Sequence, residues 1–192
     1  MSTKVEKTVE FKISRYNPEQ KKNYSSNFNV PIRRGTTLLD ALLYIKDHFD
    51  DSLTFRQSCR MGICGDCAIN VNGKPMLACY TQVLDLESDS LVIEPLSNAS
   101  VIKDLVVDMQ PFFETYRRIK PTLIKPQEEL KKPNEFPQSP AELQKYWDLT
   151  LCIKCSICNS ACPAIIDEKF LGPSALTATY RFVTDSRDQG SD

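Results

Sequence analysis

Ser58-Cys59-Arg60-Met61-Gly62-Ile63-Cys64-Gly65-Asp66-Cys67 sets three cysteines at C-x4-C-x2-C, and Cys79 follows after eleven intervening residues. Four thiolates at this spacing match the ligand pattern of a [2Fe–2S] cluster. The glycines give the physical reason. A two-iron cluster is small, so the backbone must fold closely over it. Gly62 and Gly65 permit positive φ and let backbone N–H groups approach the sulfur atoms. Those donors stabilise the extra negative charge of a reduced cluster.

Working outward, Ala68–Val71 reads as a strand, Asn72-Gly73 is a hairpin turn, and Pro75–Ala78 returns to deliver Cys79. Upstream, Val9, Phe11 and Ile13 alternate with polar residues within a strand over Val5–Tyr16, and Asn17–Asn23 is a polar turn. Phe28, Val30 and Ile32 give the returning strand over Tyr24–Ile32, with Pro31 marking its end or a free edge. Thr36 or Thr37 caps a helix running to Phe49, with Leu38, Leu39, Leu42, Ile45 and Phe49 on its buried face. His48, the only histidine, falls near the end of that helix, and a solvated helix-end role is preferred over a ligand or proton-transfer role. Leu91–Pro95 closes the series as a strand. Hairpin, helix, cysteine loop, hairpin and final strand make the β-grasp order of a plant-type ferredoxin, assigned to residues 1–103.

Residues 104–192 read differently. Leu105, Val106, Met109, Phe112, Phe113 and Tyr116 recur at three and four, so Asp104–Ile119 is expected to be helical, with an interruption at Pro111. Arg117, Arg118 and Lys120 make a basic end to that helix. Pro121, Pro126, Pro133, Pro137 and Pro140 mark an extended crossing that includes Lys131-Lys132 and holds at most a short helical turn. Ser139-Pro140-Ala141-Glu142 is a capping box opening a helix to about Leu149, with Leu143, Tyr146 and Trp147 on one side. Gly172-Pro173-Ser174 starts another helix, with Leu176, Tyr180 and Val183 expected on its inner face.

Between these helices stands a second cysteine run: Leu151-Cys152-Ile153-Lys154-Cys155-Ser156-Ile157-Cys158-Asn159-Ser160-Ala161-Cys162-Pro163. C-x2-C-x2-C-x3-C-P is the bacterial-ferredoxin spacing for a cubane cluster. In two-cluster proteins the fourth cysteine of such a run serves the other cluster. Cys152, Cys155 and Cys158 are therefore expected on a [4Fe–4S] cluster that needs a further ligand, and Cys162 on another site.

Composition narrows the class. A net charge of −1 provides no basic field for nucleic acid. No apolar run reaches the length of a membrane span. Met1-Ser2-Thr3-Lys4 and the residues after it have no apolar core, so no secretory signal is expected. Eight cysteines in two groups of four, without an export signal, favour metal over disulfides. Structural zinc is disfavoured because neither group splits into two C-x2-C pairs. The fold class is α+β: a β-grasp [2Fe–2S] ferredoxin-like domain followed by an all-α, helical ferredoxin-like domain.

These segments, with Leu77-Ala78-Cys79, Phe170-Leu171-Gly172-Pro173 and Asp185-Ser186-Arg187-Asp188, resemble the iron–sulfur subunit of succinate dehydrogenase and fumarate reductase over nearly the whole chain. The resemblance implies a [2Fe–2S] cluster on Cys59, Cys64, Cys67 and Cys79. It implies a [4Fe–4S] cluster on Cys152, Cys155 and Cys158, and a [3Fe–4S] cluster served by Cys162, with Cys162 as a makeshift fourth [4Fe–4S] ligand the alternative. Electrons are expected to pass between the FAD of a flavoprotein partner and a quinone, with Pro163 near the quinone. Membrane-anchor subunits are expected to hold the chain peripherally on the cytoplasmic face. The chain is expected to carry no catalytic residues of its own, because dicarboxylate chemistry belongs to the flavin partner.

There are two departures from the family pattern. The third cysteine group that completes the family's second and third clusters does not follow Asp188, so the helical domain is expected to be incomplete and the sequence truncated. Ala164-Ile165-Ile166-Asp167-Glu168 follows Pro163 in place of tryptophans, closer to the fumarate reductase style. Two alternatives stand beside the main reading: a relay subunit of a thiol-driven fumarate reductase or heterodisulfide-reductase-like complex, and a truncated, non-enzymatic [2Fe–2S] redox protein.

Overall fold

The computed structural model describes residues 4–131, 135–167 and 169–190. Met1-Ser2-Thr3, Lys132 and Pro133 of the extended crossing, Glu168 and Asp192 lie outside the described residues. The elements begin with β1 (Lys7–Asn17), β2 (Lys22–Ile32), α1 (Leu38–His48), β3 (Ala68–Val71), β4 (Lys74–Leu77), β5 (Ser90–Glu94), β6 (Val101–Lys103) and β7 (Val106–Val107). They continue with α2 (Gln110–Arg118), α3 (Gln127–Leu130), α4 (Pro140–Gln144), α5 (Trp147–Thr150), α6 (Ile157–Ala161) and α7 (Pro173–Thr184). The fold is mixed α and β. Two compact units divide the chain: residues up to Met109 together with Ile153–Ala161, and Gln110–Cys152 together with Cys162 onward.

In the first unit the sheet order is β2-β1-β5-β3-β4. β1 pairs antiparallel with β2, setting Val9 opposite Val30 and Phe11 opposite Phe28. β5 joins the other side of β1 in parallel, with Phe11 beside Leu91 and Ile13 beside Ile93. β3 runs antiparallel to both β5 and β4. The period of two in β1 turns Val9, Phe11 and Ile13 inward, all fully buried. Edge strand β2 carries Pro31 in its last paired stretch, where a missing N–H costs nothing on the open side.

α1 closes the core. Thr37 is its N-cap, accepting the Asp40 N–H, while the Asp40 carboxylate accepts the Thr37 N–H. Leu38, Leu39, Ala41, Leu42 and Ile45 are buried against the sheet. Phe49 is instead 53% exposed and ends the helix as its C-cap. His48 is exposed, stacked on Tyr44 with Nδ1 3.0 Å from the Tyr44 carbonyl oxygen, as the helix-end reading requires.

The helix expected from Asp104 begins only at Gln110. Residues 101–107 form the β6–β7 hairpin instead, with Asp104 in its turn at φ 49°. Asp104 is drawn there by Arg15: its carboxylate accepts the Arg15 guanidinium at 2.9 Å, the Tyr16 N–H at 3.2 Å and the Thr54 N–H at 2.9 Å. Pro111 does not interrupt α2 but occupies its second position, where no intrahelical N–H bond is lost.

In the second unit, α2 and α5 pack on α7. The crossing holds one helical turn, α3. The Ser139–Glu142 capping box opens α4 as expected, but the helix breaks before Trp147, with Tyr146 at φ −137°. Tyr146 turns inward at 2% exposure, and its hydroxyl lies 2.6 Å from Gln138 Oε1 and 2.9 Å from Asp185 Oδ2. Trp147 is left 46% exposed. The face of α7 is also reversed from expectation. Ser174, Ala175 and Ala178 are buried, whereas Leu176, Tyr180 and Val183 are exposed. Small residues allow close helix approach, so they take the inward side here.

A candidate iron–sulfur centre

Residues 59–67 wrap so that main-chain donors face sulfur. The N–H groups of Met61, Ile63 and Cys64 donate to Cys59 Sγ at 3.5, 3.3 and 3.3 Å. Cys59 N–H donates to Cys64 Sγ at 3.5 Å, and Gly62 N–H reaches Cys79 Sγ at 3.3 Å. Cys79 is brought in by the β3–β4 hairpin, and its own N–H donates to Cys67 Sγ at 3.3 Å. In that hairpin the Ala78 N–H is accepted by the Cys67 carbonyl, so the register of two strands fixes the meeting of Cys67 and Cys79.

Two of the thiols, Cys59 and Cys67, are shifted in opposite directions. The Met61 and Ile63 N–H groups, with Cys64, pull the Cys59 thiol down to about 6. Burial pushes Cys67 up to about 11, helped by the nearby Cys79 and Cys64. The loop thus favours negative charge at its rim and resists unbalanced charge inside. A cation binding there replaces the protons of the buried thiols. Among the described residues no three His, Cys, Asp or Glu side chains are grouped to hold a single metal ion. Two irons ask for a different arrangement, with the four sulfurs shared between them. A thiol-only donor set, main-chain N–H groups aimed at sulfur and a loop closed by a hairpin fit a [2Fe–2S] group. Asp66 is exposed and Glu94 partly so, as acids on a solvated surface are.

Met61, Ile63 and Tyr80 rim the loop, 65%, 63% and 77% exposed.

The second cysteine run divides between the compact units. Cys155 and Cys158 belong to the first, Cys152 and Cys162 to the second. Within the first unit, Cys155 is half-buried and packs with Ile157 against Ala68, Leu96 and Val107. Lys154 and Ser156 flank it at φ 57° and 63°, a tight backbone wrap. Ser160 fastens the far end of the segment: its Oγ accepts the Ser97 N–H at 2.9 Å and lies 3.5 Å from Asn70 Oδ1. Asn98 Nδ2 donates to the Asn159 and Ser160 carbonyls. This explains why all four residues of β3 are buried: Ile69 and Val71 face the main core, while Ala68 and Asn70 lie beneath residues 153–161. Asn70, Ser97, Asn98 and Ser160 escaped sequence reasoning, because polar side chains without periodicity give no signal of a distant partner. A polar residue inside an otherwise apolar strand, Asn70, was the one available hint. Cys158 is exposed. In the second unit Cys152 is exposed at the end of α5, Cys162 is half-buried, and exposed Pro163 opens a 3-10 turn over Pro163–Ile166. Among the described residues no helix is long and apolar enough to cross a membrane.

Residues 10–114 match the family described as "2Fe-2S iron-sulfur cluster binding domain". The chain is 42% identical over 185 residues to the fumarate reductase iron–sulfur subunit of Mycobacterium tuberculosis, covering 95% of this chain and 75% of that protein. It is 42% identical over 183 residues to the succinate dehydrogenase iron–sulfur subunit of Coxiella burnetii, covering 93% and 76%. A chain of the Mycobacterium smegmatis Sdh1 complex in the apo form superposes with a TM-score of 0.85 at 23% identity, covering 94% of this chain and 76% of that one, a likeness of fold.

Proposed function

Because this chain belongs to the family of succinate dehydrogenase and fumarate reductase iron–sulfur subunits, we propose that it relays electrons between the FAD of a flavoprotein subunit and a quinone. Cys59, Cys64, Cys67 and Cys79 hold the [2Fe–2S] cluster. Cys152, Cys155 and Cys158 are ligands of a [4Fe–4S] cluster, and Cys162 is a ligand of a [3Fe–4S] cluster. Pro163 stands near the quinone. The two functional domains are residues 1–103 and 104–192. When bound, such clusters supply one-electron carriers between two-electron partners.

The observation that carries the reading is the set of N–H donors converging on the sulfurs of Cys59, Cys64, Cys67 and Cys79. Those donors orient the ligands and favour negative charge on them, which stabilises the reduced form of a cluster held there and raises its potential. The bare apolar rim of Met61, Ile63 and Tyr80 supports a protein partner beside this loop. The exposed stripe of Leu176, Tyr180 and Val183 supports another against α7, and membrane-anchor subunits are the partner proposed there. Those anchors hold the chain peripherally at the cytoplasmic face of the membrane.

The test is anaerobic purification through a tag on this chain, followed by electron paramagnetic resonance. Co-purification of a flavoprotein and membrane-anchor subunits, with a two-iron signal and signals from further clusters, is expected. A complex lacking flavoprotein and anchors, carrying a two-iron signal alone, overturns the proposal.

A further inference from the structure

Gly65 is buried in the first cysteine loop, at φ +80°. A Cβ built on it would sit 2.8 Å from both Cα and Cβ of Cys155 and 3.2 Å from its backbone nitrogen. Carbon atoms pack at about 3.5–4.0 Å, so any side chain there must push the Cys155 backbone away by roughly 1 Å. Gly62, in the same loop at φ +74°, differs: the atoms nearest its Cβ would all belong to the Tyr80 side chain, from 3.2 Å outward, and that side chain is 77% exposed. Two glycines thus share one backbone demand, and only one of them touches the second cysteine run.

We propose that Gly65 is a positioning residue. Its bare Cα is the seat for the Cys155 backbone and sets the distance between the first cysteine loop and the 153–161 segment. The seat is built from both ends. Gly65 receives Cys155 at one end, and Ser160 is held by the Ser97 N–H and Asn70 at the other. Between them Cys155 and Ile157 pack with Ala68, Leu96 and Val107. The inference rests on the proposed reading that Cys155 is a cluster ligand. Under that reading, the seat governs how far apart two one-electron carriers stand, and electron exchange between carriers falls steeply with separation.

The experiment compares wild type, Gly65→Ala, Gly62→Ala and Ser160→Ala in the complex isolated anaerobically. Two readouts are taken: hydrogen exchange over residues 153–161, and the spin-relaxation rate of the reduced two-iron signal, which a paramagnetic neighbour enhances. Gly65→Ala is expected to speed exchange over 153–161 by roughly tenfold or more and to lose most of the relaxation enhancement. Gly62→Ala, with the same φ demand, is expected to leave exchange over 153–161 at the wild-type rate, whatever it does to the two-iron loop itself. Equal effects of the two glycine variants on that exchange overturn the inference, since backbone strain alone then accounts for them. So does a Gly65→Ala protein with wild-type exchange and relaxation. Should Gly65→Ala fail to assemble the loop, Ser160→Ala decides, because it loosens the segment and leaves residues 59–67 intact. Faster exchange with reduced enhancement supports the seat, and unchanged values overturn it. A wild-type protein showing no cluster besides the two-iron one refutes the ligand role of Cys155 separately, and hydrogen exchange still decides whether Gly65 seats the segment.

Discussion

Replacing Asp104 by asparagine removes one charge from a buried ion pair and changes little else. Arg15 and Asp104 side chains are each 1% exposed, with Nε and Oδ1 2.9 Å apart. Asparagine tolerates the left-handed turn that Asp104 occupies at φ 49°. It keeps one acceptor, but its amide nitrogen then confronts either the Thr54 N–H or the Arg15–Tyr16 donors that the carboxylate now accepts. Removing one partner of a buried pair costs about 3–5 kcal/mol. Here Asp50 still pairs with Arg15 and Ser52 still accepts from it, which reduces the loss. The expected destabilisation is therefore about 2–3 kcal/mol, most of it a stranded guanidinium and one unmatched donor. The assay is urea unfolding of the metal-loaded protein at neutral pH, followed by the visible absorption of the two-iron loop in the same unit. Adding Arg15→Met to Asp104→Asn removes the stranded charge and is expected to recover about 1 kcal/mol, so the two changes are not additive. An Asp104→Asn midpoint within about 0.5 kcal/mol of wild type, or strictly additive single effects, refutes this account of the β6–β7 turn.

Other perturbations reach the remaining parts of the chain. Cys79→Ser is expected to abolish the two-iron absorption and resonance signal, whereas Cys158→Ser keeps both; retention of the signal in Cys79→Ser removes Cys79 from the ligand set. Thr37→Ala deletes the side-chain half of the α1 capping box, leaving the Asp40 carboxylate on the backbone N–H of residue 37, and is expected to cost about 1 kcal/mol in denaturant unfolding, an effect absent if the helix is held by packing alone. Asp185 is held down to about 2, from an ordinary 3.8, chiefly by the Arg187 guanidinium, against opposing burial and with help from the Tyr146 hydroxyl. A carboxylate with a depressed folded pKa stabilises above its unfolded pKa, and that stabilisation is lost as pH falls from about 4 towards about 2. A carboxyl held from 3.8 down to about 2 on a side chain 4% exposed corresponds to about 2 kcal/mol. Asp185→Asn should be destabilised by that amount at pH 7 and by about half of it near pH 3. Urea titrations of the metal-free chain followed by Trp147 fluorescence measure this, and a pH-independent deficit contradicts it.

The elements legible in the sequence share one property: their signals are local. Alternation in β1, the Thr37 cap, Asn72-Gly73 and the C-x4-C-x2-C spacing each state their outcome within about ten residues, and each stands where expected. The misread elements depend on partners far along the chain. Leu105, Val106 and Met109 carry a helical period, but Arg15, eighty-nine residues from Asp104, draws that residue into a hairpin turn. The helix after Ser139 should have run on through Tyr146, but Gln138 and Asp185 hold the Tyr146 hydroxyl and the turn breaks there. On α7 hydrophobicity pointed Leu176, Tyr180 and Val183 inward, yet Ala175 and Ala178 pack there and the large side chains stay outside. Periodicity reports which face is apolar, not which face is covered.

The sequence by itself determined the β-grasp order, the two groups of four cysteines and the thiolate chemistry they imply, because ligand spacing and strand period are properties of short stretches. Only the tertiary structure decided that residues 153–161 pack with the first unit, that β3 is covered on both faces, and that Gly65 meets Cys155. Those contacts join residues up to ninety positions apart, and they are selected by shape and hydrogen bonding once the sheet has formed. No local pattern encodes them, since Gly65 needs only its missing side chain, and Ser160 finds its partners, Ser97 and Asn70, more than sixty positions away.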